Sequence, residues 1–368
     1  MVSALDAPKK ILVWQWGRFG AGPRFAVLFS EGLAGLAGVE VSLSLSSGAE
    51  ILRGDAPPRC DLPMPTYASL PGFMLRVLTA PFAVRNLIAW LRVSRPDFAI
   101  CPLPGPLDLV MAVALRRLRI PFAVVIHDAD AHPGERLPLR MFLQRMLCRQ
   151  ATAIATLTSH VADRLMQQKL AGIPGRPLIR LRHPPMQFQV SPRRAREAGT
   201  LRLLSFGRLL KYKGLDLLAE SLALLDAPPG LSVRVVGAGP ESADLDRLRG
   251  LPGVVVENRW VPETEVGDLL SWADAIVLPY REASQSGVAA AAIAADRFVV
   301  ATNVGGLREQ LAREPLAIVC EPDAGSIAAN IRRLYDQAGP ASANDTPRPR
   351  EAWREIGQAL MDQMHAAT

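Results

Sequence analysis

Short apolar runs alternate with longer stretches of helical spacing along most of the chain. The runs predict strands at 11–14, 97–101, 122–126 and 153–157, and again at 201–206, 233–236, 254–257, 275–278 and 298–301. Within each run hydrophobicity is continuous rather than alternating. Strands of that kind are covered on both faces, which predicts parallel sheets layered between helices. The pattern runs twice, so the expected fold class is α/β with two Rossmann-like parallel-sheet domains. A polar, Pro- and Arg-rich stretch at 189–199 reads as the linker. It sets the expected domains at 1–188 and 200–340, followed by a polar tail and a last helical pattern within 350–368.

Composition fits that division. At about 150 residues per domain, 368 residues that are 49% hydrophobic make two domains, each with its own core. Cys60, Cys101, Cys148 and Cys320 are scattered and lack metal-type spacing, so free thiols in a reducing compartment are expected. The opening residues lack the apolar core of a signal peptide. No run of about 18 apolar residues occurs, so no transmembrane helix is expected.

The formal net charge of +7 asks for an anionic partner. With 6% aromatics and no nucleic-acid module, nucleic acid is not that partner. Two segments, 73–93 and 136–149, mix bulky apolar residues with arginines: Arg76, Arg85 and Arg92 in the first, Arg140, Arg145 and Arg149 in the second. Such a mixture suits a helix lying on an anionic membrane surface. It equally suits a core-facing helix whose arginines snorkel to water.

The stretch with most chemistry is Phe206-Gly207-Arg208-Leu209-Leu210-Lys211-Tyr212-Lys213-Gly214. It follows a buried strand and precedes a helical run, 215–225. A glycine-bearing loop with cations, opening a helix, is a place to hold an anion. Arg208 and Lys213 are the candidates, while Lys211 reads as solvated. His127-Asp128 ends the strand at 122–126, where open α/β sheets bind ligands. A satisfied structural histidine is the other reading of His127. His132, His160 and His183 carry weaker signals, and Ser159-His160 reads as a helix cap. Asp128-Ala129-Asp130 matches the letters of a metal signature in the wrong context, so no metal site is expected.

The 206–214 stretch resembles the diphosphate-gripping motif of the group 1 retaining glycosyltransferases of GT-B fold. The likeness extends through Val236-Gly237-Ala238-Gly239-Pro240-Glu241, Trp260-Val261-Pro262, Ser286-Gly287-Val288 and Thr302-Asn303-Val304-Gly305-Gly306-Leu307-Arg308-Glu309. It implies two domains facing a cleft, with the last helix returning to the first. It implies a nucleotide-sugar donor, no other cofactor, no metal, and a lipid-linked or glycan acceptor. A cytoplasmic enzyme, peripheral on the inner face of the cell membrane, is expected. The resemblance assigns diphosphate contacts to Arg208, Lys213, Gly207 and Gly239, and a donor-sugar contact to His127. Gly20 and Gly22, in the loop after the first strand, are candidates for phosphate approach, or else a tight turn. Arg18 and Arg24 flank them.

Many relatives carry Glu-x7-Glu where this chain has Ala283 and Ala291. Glu282, one residue away, is the candidate to replace the first carboxylate, and nothing nearby replaces the second. Ser284, Gln285, Ser286, Gly287 and Val288 remain able to hold sugar hydroxyls and diphosphate at a helix start. Gly305-Gly306 reads as turn support. Three other readings stay open: a catalytically inactive partner of another transferase, a nucleotide-sugar epimerase, and a dinucleotide dehydrogenase. The last lacks Gly-x-Gly-x-x-Gly with its distal acid.

Overall fold

Buried apolar runs become parallel strands in both halves of the chain. The computed structural model describes residues 7–54, 56–133, 138–341 and 349–367. These divide into two units, each an α/β layer structure.

In chain order the first unit holds β1 (Lys9–Gln15), α1 (Ala21–Ala34), β2 (Val39–Leu45), α2 (Leu70–Leu78), α3 (Ala80–Ser94) and β3 (Phe98–Cys101). It continues with α4 (Asp108–Arg117), β4 (Phe122–Ile126), α5 (Pro138–Gln150), β5 (Ala153–Thr156), α6 (Ser159–Gln167) and β6 (Leu178–Arg180). The six strands form one parallel sheet in the order β2-β1-β3-β4-β5-β6. Every residue of β3, β4 and β5 is buried, as continuous hydrophobicity requires. Leu12, Trp14 and Phe122 share a core with Leu87 and Leu91 of α3, Met111 of α4 and Leu147 of α5. Each such side chain contributes about 1.5–3 kcal/mol by leaving water.

The second unit holds β7 (Leu201–Phe206), α7 (Leu215–Leu224), β8 (Leu231–Gly237), α8 (Ala243–Arg249), β9 (Val254–Asn258) and α9 (Glu263–Trp272). After these come β10 (Ala275–Leu278), α10 (Gly287–Ala294), β11 (Phe298–Thr302), α11 (Leu307–Leu311), β12 (Ala317–Cys320) and α12 (Ala324–Asp336). Its parallel sheet runs β12-β11-β10-β7-β8-β9. Alternate residues feed two cores, because a strand points its side chains to opposite faces. Leu203, Val235 and Val277 pack with α7 and α12, whereas Leu204, Val236 and Ile276 pack with α9 and α10. The chain winds outward both ways from the β7–β10 pair. The carboxyl ends of that pair are the switch point where an α/β sheet binds ligands.

The last helix, α13 (Pro349–Ala367), groups with the first unit, as the resemblance implied. Trp353 of α13 is buried against Phe25 and Phe29 of α1. Gly32 lets it approach, since a Cβ there would lie 2.5 Å from the Trp353 carbonyl oxygen.

Three expectations change. The units divide between Arg182 and His183, ahead of the boundary expected at 188. Residues 189–199, read as a linker, belong to the second unit instead. Two of their arginines are paired with acids of that unit: Arg193, buried, with Asp296 at 3.5 Å and Arg194, half-exposed, with Asp274 at 3.1 Å. The N-cap of α6 is Thr158, whose side chain accepts from the Val161 amide, so Ser159 and His160 are not the cap.

Candidate active site

The loop leaving β7 is seated on the loop leaving β8. Gly207 N donates to Val236 O and Leu209 N to Ala238 O, each at 3.0 Å. Gly239 packs against the Leu209 carbonyl, and its own N–H is taken by Asn258 at 3.0 Å. Gly239 therefore shapes the loop rather than offering its amide to an anion. A single 3-10 turn, Lys211–Lys213, then leads through Gly214 into α7.

Tyr212 organises this turn. Its ring is buried, its hydroxyl accepts from Arg208 Nη2 at 2.7 Å, and its carbonyl accepts from the Arg281 amide at 2.8 Å. Lys213 Nζ lies 3.8 Å from the Tyr280 ring centroid and 5.0 Å from that of Tyr212. Ring faces attract ammonium groups, so the two tyrosines hold the lysine in place. Burial, the largest influence, pushes the Tyr280 hydroxyl up to about 12, so the ring stays neutral. Lys211 points to solvent, as its sequence position suggested.

His132 completes the row. It groups with the second unit although Ala131, just before it, lies in the first. Its ring stacks on Tyr212, centroids 4.4 Å apart and planes 11° from parallel. Its Nδ1 donates to Glu282 Oε1 at 3.2 Å. Glu282 is half-exposed, so this bond fixes a carboxylate that still meets water.

The segment after β10 closes the site. Ser286 caps α10 by accepting from the Ala289 amide at 3.1 Å. Gln310 of α11 clamps the Ser286 backbone from both sides: Oε1 accepts from Ser286 N at 2.8 Å and Nε2 donates to Ser286 O at 2.9 Å. Gly306 N donates to Ala283 O at 2.9 Å, so Gly305-Gly306 supports the loop as expected. Val288 lies beside Gly207, 3.6 Å from where a Cβ there would stand. The structure thus brings Arg208, Lys213, Gly207, Glu282, Ser284, Gln285, Ser286, Gly287 and Val288 to one end of one sheet.

His127, Gly20 and Gly22 belong to the first unit. His127 is buried, its Nε2 donates to Pro102 O at 2.8 Å, and its ring meets Phe25 edge-on at 4.9 Å. Burial holds it below the ordinary imidazole range, partly offset by the Pro102 bond. Gly20 caps α1, and Gly22 leaves room for the Gln15 amide, which also accepts from Gly17 N. The tight-turn reading accounts for Gly20, with φ 77, whereas Gly22 lies in the first turn of α1 and is required by the close Gln15 side chain. Arg18 donates to the carbonyls of Gly48 and Tyr67. Asp130 is held by Arg164 and Gln168. Among the described residues no three His, Cys, Asp or Glu side chains gather as metal ligands.

Two family models match the chain in tandem: a "Glycosyl transferase 4-like domain" over residues 20–185 and "Glycosyl transferases group 1" over 200–337. The chain belongs to the group 1 glycosyltransferase family. Glycogen synthase of Mycobacterium tuberculosis is 29% identical over 206 residues, 55% of this chain and 49% of that protein. The chain thus matches about half the length of that relative. Among solved structures, sucrose-phosphate synthase from Thermosynechococcus elongatus superposes with a TM-score of 0.63 at 16% identity, covering 98% of this chain and all of that one. HepE of Anabaena in complex with UDP-glucose gives a TM-score of 0.61 at 15% identity, covering 96% of this chain and 94% of that one. These two likenesses establish the GT-B fold.

Within this group 1 transferase, Ala283 and Ala291 are both buried. The Ala283 backbone packs against Gly305, and Ala291, on α10, packs in the core. The residues that sequence reasoning passed over are Tyr212, Tyr280 and Gln310, and it underrated His132. One signal was present: the chain has only four tyrosines, and two of them stand inside the motif at 206–214, as Tyr212, and just before Glu282, as Tyr280.

Proposed function

We propose that this chain transfers a sugar from a nucleoside-diphosphate sugar to a lipid-linked or glycan acceptor, with retention at the anomeric carbon. The supporting observation is the cation pair Arg208–Lys213, fixed by Tyr212 and Tyr280 at the switch point of the second sheet. As the anomeric C–O bond breaks, negative charge grows on the departing diphosphate. Cations already in place stabilise that charge without reorganising. The acceptor hydroxyl oxygen forms the new bond to the anomeric carbon on the same face, and its proton passes to a diphosphate oxygen. The second unit would hold the donor and the first the acceptor. The likeness to HepE, seen with UDP-glucose, supports this donor class.

The test is incubation of the full chain with a panel of nucleotide sugars and acceptors, the product anomer being read by NMR. Transfer with retained configuration is expected. Conversion of the donor to an epimer without transfer would favour the epimerase reading. Tight nucleotide binding without turnover would favour an inactive partner.

Full activity is expected in excess chelator, because arginine and lysine occupy the charge-neutralising role at the diphosphate. A strict dependence on added magnesium or manganese would remove that assignment.

Glu282 is proposed as the sugar-side carboxylate, steadied by His132. Glu282→Gln is expected to lower kcat at least about tenfold, with nucleoside-diphosphate affinity little changed. Wild-type turnover in that variant would assign the role to the loop from Ser284 to Gly287.

A further inference from the structure

The first unit carries an apolar ridge that its fold does not use. No residue of α2 is buried, although seven of its nine are Leu, Pro, Phe, Met or Val. Leu70, Leu78 and Phe82 are 74%, 73% and 70% exposed, and Met74, Leu75 and Val77 are exposed beside them. α2 and α3 meet at Thr79 with a bend of 63°, which puts Leu78 and Phe82 at the elbow. The elbow is firmly built. Ser69 caps α2, Thr79 Oγ1 donates to Leu75 O at 2.8 Å, and Phe73 packs on Tyr67. On the other side of α3, Val84, Leu87 and Leu91 anchor it in the core.

The charge around the ridge has one sign. Between Asp61 and Asp97 the chain contains no Asp or Glu, but it contains Arg76, Arg85, Arg92 and Arg95. Arg85, Arg92 and Arg95 are exposed, and Arg76 donates to the Thr66 carbonyl. The two flanking acids are occupied: Asp61 by Arg59 and the Leu43 amide, Asp97 by the Lys10 amide. No single helix here is long and apolar enough to cross a membrane.

We infer that the α2–α3 elbow docks on an anionic lipid bilayer, with Leu78 and Phe82 entering the acyl boundary and Arg85 and Arg92 meeting the headgroups. An amphipathic surface with apolar tips and basic flanks has this partition behaviour. Arginine stems cover apolar surface while their heads stay at the phosphate level. A second copy of the chain fits less well. A two-fold dimer sets the same patch against itself, and here that would oppose arginines with no acid to pair them. The segment at 136–149 contributes less. Arg136 and Leu137 lie outside the described residues, Leu147 of α5 is buried, and only Leu139 and Phe142 are among its exposed large apolar residues. The inference stands apart from the sugar-transfer reading, since vesicle binding needs neither donor nor acceptor.

The experiment is co-sedimentation of the full chain with phosphatidylcholine vesicles, with and without phosphatidylglycerol, at low and high salt. Wild type is expected on the mixed vesicles at low salt and to be released as salt screens the arginines. R85E/R92E is expected to weaken that binding by about 25-fold or more, at about fivefold per arginine removed. L78S/F82S is expected to weaken it by at least about tenfold, leaving the thermal midpoint unchanged because both side chains are exposed. Absence of wild-type binding at low salt would overturn the inference, and so would binding equal to wild type in both variants. A dimer in solution that L78S/F82S abolishes, without vesicle binding, would give the ridge to a second copy instead.

Discussion

Arg208→Ala and Lys213→Ala are each expected to slow sugar transfer by about 2–4 kcal/mol in transition-state terms, on the scale of losing one preorganised contact to a developing anion. The loss should appear in kcat as well as kcat/KM, because the charge they meet grows only as the donor bond breaks. Arg208 is exposed and Lys213 lies against ring faces, so neither truncation opens a core cavity. Folding should survive both, as judged by an unchanged thermal midpoint. Tyr212→Phe is an informative control. It keeps the ring under Lys213 and His132 but removes the oxygen that Arg208 donates to. Its rate should fall between wild type and Arg208→Ala. Wild-type rates in both alanine variants, with nucleotide affinity intact, would place the anion site elsewhere.

Gly214→Ala is expected to cost about 3–5 kcal/mol of stability. Two penalties coincide. Gly214 has φ +68, a left-handed conformation costly to any residue with a Cβ. That Cβ would also stand 1.8 Å from the Pro279 carbonyl oxygen, which is backbone and cannot swing away. Gly38 separates the two terms. It has φ +70 but nothing within 4 Å of its would-be Cβ, so Gly38→Ala should cost only about 1 kcal/mol. Denaturant unfolding of both variants measures the difference, analysed with a transition for each unit. Equal losses at the two glycines would mean that the β7 and β10 loops are not locked together as described.

The sequence made the centre of each sheet readable and left three of the four margins blank, the exception being β9, whose valine run marked it. Strands β3, β4, β5, β7 and β10 announce themselves because both faces are buried and every position can be apolar. β2, β6 and β12, which the reading passed over, are all edge strands. β2 alternates polar and apolar residues, β6 is three residues long, and β12 is half-exposed. An edge strand is held by its neighbour's backbone, and that pairing leaves little mark on composition. The motif at 206–214 was legible because glycine, cations and helix start are local features. The Tyr212–His132–Glu282 row was not, since no spacing joins residue 132 to residue 212. The arginines of 189–199 misled for a related reason. A polar, arginine-rich run reads as a linker until its distant acids, Asp274 and Asp296, are placed beside it. The amphipathic character of α2 and α3 was visible, but only the fold showed which apolar residues the core leaves out.

The division of the chain has a consequence for inheritance. Among the described residues each unit is discontinuous: the first takes those up to 131, 138–182 and 350–367, and the second takes 132–133 and those between 183 and 349. A gene cut at residue 183 therefore does not separate the two. The upstream fragment would lose α13 and leave Phe25 and Phe29 without Trp353. The downstream fragment would lose His132, and with it the ring against Tyr212 and the donor to Glu282. If the second unit holds the donor, as proposed, recombination that swaps donor specificity between relatives must carry a short piece of the upstream half along with the downstream one. A crossover that ignores this would give a chimera with two sound sheets and an unsupported carboxylate.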